Sequence, residues 1–393
     1  MKKIFIGAHL CLILLSVSIF AQEFRTVQDG IEHANFTKQI KSQDGKTEPS
    51  VVNLLRLDLT KVRLDVVHAM DAAIGLETTS SIAARHGAIA AINAGFFRLD
   101  KSIFAGDAAG ILQIDGKLLS ESYAERIALI ISNERNKTEI HFSKQNRVQA
   151  LRVGNYDWDA SGINRERKTD ELILYTPEFH RTTLTDKNGL EVIVENKKIV
   201  WIADGKGSHL IPGNGFVLSA SGKAREKLLG QIKIGETVSV GTRLYPVKSG
   251  SKDEKKLPAQ CVECDIVGGV PQLVRDGKIE ITWEQEKAGK SFVEMRHPRT
   301  AVAKLKDGKF LMVTVDGRQP GTSVGMNLHE LAEMLLEFGA VDAMNLDGGG
   351  STTMLVGGKV INQPSDKEGE RKVSDVILVF PRLLKSPAAT VKK

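Results

Sequence analysis

The chain has 393 residues, 41% of them hydrophobic and 26% charged, with a formal net charge of +6. That length suits one large or two ordinary domains, and its scattered lysines and arginines with few aromatics offer no track for nucleic acid. Three cysteines without a second close pair do not support a structural zinc site.

Lys2 and Lys3, the apolar run Ile4 to Phe20 and then Ala21-Gln22 follow the order of a secretory signal peptide, with cleavage expected after Ala21. Gly7, His9, Ser16 and Ser18 break the run, which argues against a membrane anchor, and no later segment is apolar enough to span a bilayer. The mature chain, with a net charge of about +4, is therefore expected to be exported, to the periplasm or outside the cell.

Residues 22–50 are polar and weakly patterned and read as a loose lead-in. Val51 to His68 alternates as strands do, through Leu55, Leu57 and Leu59 and then Val62, Leu64 and Val66. Thr79-Ser80-Ser81 predicts the cap of a short helix, Ile82 to His86, closed by Gly87. Ala88 to Asn93 reads as a buried strand running into Asn93-Ala94-Gly95-Phe96-Phe97. Asp115-Gly116, Asn188-Gly189, Asp276-Gly277, Asp307-Gly308 and Gly357-Gly358 lie between apolar flanks and predict type I′ hairpin turns, whose central residues need positive φ. Residues 248–258 read as a solvated loop. Whether Cys261 and Cys264 are bridged stays open: an exported protein could oxidise them, but strand geometry would turn them to opposite faces.

The second principal helix is predicted over Leu328 to Phe338. Asn327 and Glu330 have capping-box spacing, and Leu328, Leu331, Ala332, Leu335 and Leu336 form one apolar stripe ended by Gly339. The tail from Leu384 is basic and expected to fray. The expected fold is α+β, with β-rich mixed sheets, many hairpins, two principal short helices and a single domain over 51–383. An internal duplication is also expected: Gly87 to Asn93 and Gly339 to Asn345 agree at four of seven positions, and each follows a helix. Such a duplication would bring Asn93 and Asn345 to one cleft.

Chemistry concentrates at strand ends. The most specific stretch is Asn345-Leu346-Asp347-Gly348-Gly349-Gly350-Ser351-Thr352-Thr353, where an aspartate meets three glycines and three hydroxyls. Consecutive glycines lose much conformational entropy on folding and are tolerated where a backbone or ligand comes close; a tight turn with an Asx-type aspartate is the plainer alternative. Other clusters are Asn93 with its Gly-Phe-Phe, Arg296-His297-Pro298-Arg299-Thr300, Asp316-Gly317-Arg318 and Arg371-Lys372-Val373-Ser374-Asp375. Arginines beside glycine amides suit a phosphate or carboxylate, and Asp316 and Asp347 could flank a glycosidic bond. The same residues could equally be ordinary ion pairs and turns. No phosphate-binding loop, serine-hydrolase elbow or zinc-protease motif is present in the sequence.

These clusters resemble the phosphodiester glycosidase family. The match runs through Asn93 to Phe97, Val267-Gly268-Gly269-Val270-Pro271 with Leu273 to Gly277, Arg296 to Ala301, Val315 to Arg318, Asn345 to Thr353 and Arg371 to Asp375. Ala94 stands where the family usually has glycine. The resemblance implies hydrolysis of a sugar joined through its anomeric carbon to a phosphodiester. On that reading Arg299, with Arg318 or Arg371, holds the phosphate, while Gly348, Gly349, Gly350, Ser351 and Thr352 hold phosphate or sugar hydroxyls. Asn93, His297, Asn345 and Asp375 complete the substrate-binding set. Asp347 or Asp316 stabilises the oxocarbenium-like transition state or activates water. The expected partner is a phosphorylated glycan or sugar-phosphodiester. No cofactor is called for, although a divalent cation stays open. A non-catalytic binder of phosphorylated polysaccharide and a metal-dependent phosphodiesterase are the alternatives.

Overall fold

The computed structural model describes residues 23–41, 45–245, 247 and 263–382. The expected signal peptide, the 248–258 loop, Cys261 and the tail from Leu384 lie outside the described residues. The protein is β-rich. Its largest sheet is antiparallel and has eight strands, in the order Arg25–Gln28, Ile31–Lys41, Thr47–Leu57, Phe310–Val315, Arg299–Leu305, Ala340–Asn345, Gln272–Arg275 and Lys278–Ile279.

Both faces of that sheet are covered, so its central strands are continuously apolar rather than alternating. One face (Val52, Leu54, Ala301, Ala303, Val313) packs on the helix Leu328–Glu337 through Leu328, Leu331, Ala332 and Leu335. The opposite face (Leu55, Leu57, Val302, Met312, Met344) packs on a five-stranded sheet through Leu64, Ile92 and Ile377. That second sheet runs Lys359–Val360, Met354–Val356, Ala90–Asn93, Asp375–Pro381, Val62–His68. Its far side is closed by the helix Thr79–His86, where Ile82 and Ala83 meet Ala91, Val376 and Leu378. Each of these buried leucines and isoleucines contributes about 2 kcal/mol of transfer free energy.

The helix ends follow their residues. Asn327 and Glu330 form the reciprocal capping box, at 2.9 Å in each direction. The first helix begins at Thr79, one turn earlier than predicted, because Thr78 is its cap and accepts from Ser81 N. Two further short helices, Gly222–Leu229 and Lys290–Glu294, escape the sequence pattern.

Other departures have local causes. The 22–50 stretch is not a loose lead-in: Ile31–Lys41 pairs with Thr47–Leu57 over eleven residue pairs. It buries only Ile31, Ala34 and Ile40, so its sequence carries little apolar signal. Asp115-Gly116, Asp276-Gly277 and Gly357-Gly358 have positive φ at both positions, as type I′ turns require. Around Asp307-Gly308 only the glycine does, and the hairpin loop is longer. Asn188-Gly189 is no hairpin turn. The hairpin in that region closes at Asn196-Lys197, with φ of 49° and 65°, between Leu190–Glu195 and Lys198–Asp204. The sheets are antiparallel except where Gly162–Ile163 pairs parallel with Leu172–Tyr175, among the described residues. Residues 147–244 build two further sheets around their own core, including Leu174, Val192 and Leu218. Cys264 is buried and disulfide-bonded.

Candidate active site

The two packed sheets end at one edge. Ala90–Asn93, Phe310–Val315 and Ala340–Asn345 finish there, while Arg299–Leu305 and Asp375–Pro381 begin there, as the registers Asn345↔Ala301, Arg299↔Val315 and Asn93↔Val376 require. Asn93 and Asn345 therefore do reach one place. Asp347 lies just past the strand end, stitched to both sheets. Its amide donates to Ala94 O at 2.9 Å, its carbonyl accepts from Asn93 Nδ2 at 2.6 Å, and the neighbouring Leu346 amide donates to Thr300 O at 2.9 Å.

Each glycine after Asp347 answers a different demand. A Cβ on Gly348 would sit 2.7 Å from Pro298 O, and Gly349 has φ +62°. A Cβ on Gly350 would lie 2.1 Å from Arg371 Nη2 and 2.3 Å from Asp366 Oδ1. The absent side chain thus makes room for a two-pronged Arg371–Asp366 ion pair, at 2.7 and 3.0 Å. Arg318 approaches from the other side: its Nη2 would be 3.0 Å from a Gly349 Cβ. Arg318 is exposed, holds φ +61°, which is costly for a non-glycine residue, and has no carboxylate partner among the described residues.

The carboxylates are unusual. Burial raises the Asp347 carboxyl to about 7, and the buried Asp375 charge adds to that, while the Ser351 hydroxyl and Arg371 oppose it. Ser351 Oγ is buried without a hydrogen bond of ordinary geometry, so its influence on Asp347 is by proximity. Asp375 is fully buried and also raised by burial. Gly95 N donates to its Oδ1 at 2.6 Å and Ser374 Oγ to its Oδ2 at 2.5 Å. His297 is half-buried and pushed below the usual imidazole range by burial and by the Arg299 and Arg318 charges.

Several candidates serve the scaffold. Arg299 is buried, its Nε donating to Met326 O at 2.8 Å and its Nη2 to Phe292 O and Met295 O at 2.7 and 2.8 Å. Burial lowers it to about 9, which leaves it charged at neutral pH. Asp316 is buried and raised by desolvation, accepting from Asn362 Nδ2 and Gln363 N at 3.1 Å. It ties down the 362–363 segment, and the carboxylate whose charge acts on Asp347 is Asp375. Asn93 Oδ1 accepts from Thr300 Oγ1 and Thr353 N. Asn345 spends both amide protons on Val270 O and Leu346 O, and Thr352 Oγ1 meets Thr300 Oγ1 at 3.4 Å. Sequence reasoning missed Asp366 and Asn362, and it named Thr300 only as the end of the Arg296 cluster, with no role of its own. Nothing local marks Asn362; Asp366 lies five residues before Arg371, a spacing without meaning until the loop folds.

Residues 188–380 match the family model described as phosphodiester glycosidase. Over these residues, just under half of the chain, the protein is similar to the phosphodiester glycosidase family. The resemblance read from the strand-end motifs is thereby borne out. A bovine N-acetylglucosamine-1-phosphodiester alpha-N-acetylglucosaminidase is 34% identical over 142 residues, which cover 32% of this chain and 27% of that protein. The human counterpart is 32% identical over 142 residues, with the same coverage. The match thus spans about a quarter of those relatives' length. Among solved structures, a putative exported protein from Burkholderia pseudomallei superposes with a TM-score of 0.74 at 25% identity, covering 86% of this chain and 75% of that one. The Asp347 turn, Arg318 and Arg371 all fall inside the matched phosphodiester glycosidase region.

Proposed function

We propose that the protein hydrolyses a sugar-1-phosphodiester at the anomeric C–O bond, releasing free sugar and a phosphomonoester. The observation that carries this reading is the convergence on one glycine turn of an aspartate titrating near 7, a second buried carboxylate and two arginines. Arg318 and Arg371 hold the phosphodiester, the latter aimed by Asp366. Asp347 sits where the anomeric carbon reacts. With its carboxyl raised to about 7, it is poised near neutral pH to take the proton of the attacking water or, ionised, to attack C1 itself. The C1–O bond breaks with its electron pair leaving on the phosphate. That leaving group is stable as an anion, which spares the site a strong general acid. Asp375 keeps the Asp347 proton affinity high.

The same reading extends to the whole chain. The protein is exported by the N-terminal signal, the 22–50 stretch acts in one domain with residues 51–383 because its strand Ile31–Lys41 belongs to the large sheet, and the two helix–strand units that deliver Asn93 and Asn345 descend from one. Among the described residues no helix is long and apolar enough to cross a membrane. The test is sugar release from a panel of nucleotide sugars and sugar-1-phosphodiesters in ¹⁸O-labelled water. C–O cleavage puts the label on the sugar, whereas label on the phosphate would sink the proposal. Glycan binding without turnover would support the binder instead.

A further inference from the structure

A second constructed surface lies on the strands Leu190–Glu195 and Lys198–Asp204, and its lining shares no residue with the Asp347 turn. Their ladder shifts register between Ile193 and Val194, so Val200 and Trp201 are both turned outward, breaking the in–out alternation. Trp201 is left 55% exposed, unusual for so large an apolar side chain. It lines an open groove together with His180, Arg181, Glu195, His209 and Leu210. The two loops that carry most of these residues are fixed to each other, through Thr183 N to His209 O at 3.1 Å and Ile211 N to Arg181 O at 3.0 Å.

The polar groups of the groove are set in place from below. Glu191 is fully buried, a costly position for a carboxylate unless its acceptor sites are filled. Thr183 Oγ1, Thr185 Oγ1, His209 N and His209 Nδ1 fill them, at 2.6, 2.7, 3.1 and 2.5 Å. This fixes His209 Nδ1 as a donor and leaves Nε2 for the groove. His180 is set the opposite way, since its Nδ1 accepts from Thr182 N at 3.3 Å and its Nε2 carries the proton. Neither Arg181 nor Glu195 has an ion-pair partner among the described residues.

We propose that this groove is a second saccharide-binding site, holding a neutral stretch of glycan. Sugar hydroxyls both donate and accept, which matches oriented imidazoles, a guanidinium and a carboxylate side by side. The C–H face of a pyranose packs on an exposed indole. Arg181 and Glu195 offset each other, so the groove gives no net charge to select an anion, and an apolar peptide would have no use for fixed imidazoles. Reading that glycan as part of the substrate rests on the hydrolase function proposed above; the binding itself does not.

The test uses the full chain carrying Asp347→Asn, titrated with unphosphorylated tetrasaccharides of N-acetylglucosamine, glucose and mannose. Binding is read by calorimetry and by tryptophan emission. We expect at least one series to bind saturably and shift the emission. Trp201→Ala should weaken it by about tenfold or more with an unchanged near-UV spectrum, and Arg181→Ala should weaken it less. In the otherwise wild-type enzyme, Trp201→Ala should leave sugar release from a small sugar-1-phosphodiester unchanged. No saturable response from any series, or equal binding by Trp201→Ala, overturns the proposal. Trp201-dependent binding without any hydrolysis by the wild type would keep the groove and remove the hydrolase reading, and hydrolysis without binding would do the reverse.

Discussion

Replacing Asp347 by asparagine should abolish turnover and at the same time stabilise the protein at alkaline pH. The folded carboxyl holds its proton up to about pH 7, whereas the unfolded chain releases it near 3.8, the ordinary aspartate value. Between those values the folded state binds more protons, so this group's contribution to stability falls as pH rises through the window. At 1.36 kcal/mol per unit, a shift of about three units sets a ceiling of about 4 kcal/mol on that loss. Asp347 is half-buried rather than sealed, and solvent screening brings the expected value to about 2 kcal/mol. Urea unfolding of wild type and Asp347→Asn at pH 4 and pH 8 measures it. The asparagine variant should be the more stable at pH 8 by about 2 kcal/mol, and the gap should close toward pH 4. Sugar release should drop by roughly three orders of magnitude. A variant less stable than wild type at pH 8, or a gap that does not change with pH, would refute the reasoning.

Other outcomes follow from the same geometry. Because the Asp375 charge raises Asp347, Asp375→Asn should move the ionisation limb near pH 7 in the kcat/KM profile to lower pH; a limb that stays put would separate the two carboxylates. Gly350→Ala puts a methyl where Arg371 and Asp366 pair, so KM for a phosphodiester should rise at least tenfold, and a crystal structure should show Arg371 displaced. Asp316→Asn, by contrast, should keep most of the turnover and lose about 1–3 kcal/mol of stability, since its carboxylate anchors the 362–363 segment. Leu331→Ala, under the large sheet, should cost about 2–5 kcal/mol by thermal or urea unfolding with no change in KM.

How much of this was legible in the sequence depends on the distance over which each signal acts. The helix at 328–337, its capping box and the glycines after Asp347 were readable, because caps, periodicity and backbone freedom act within a few residues. The strand Ile31–Lys41 was not, because its place beside Thr47–Leu57 comes from backbone pairing that leaves little apolar trace. The same limit governs the site. Sequence alone marked Asp347, Arg318, Arg371 and Asp375 as polar groups at strand ends. It favoured Asp316 as the partner of Asp347, since both follow apolar strands. Tertiary structure decided otherwise: packing one sheet on the other puts Asp375 where its charge reaches Asp347, turns Asp316 onto a loop and closes Arg299 over three carbonyls. Local chemistry fixed which residues were available, whereas pairing across hundreds of positions, 280 between Gly95 and Asp375, decided which of them share an environment and hence a proton affinity.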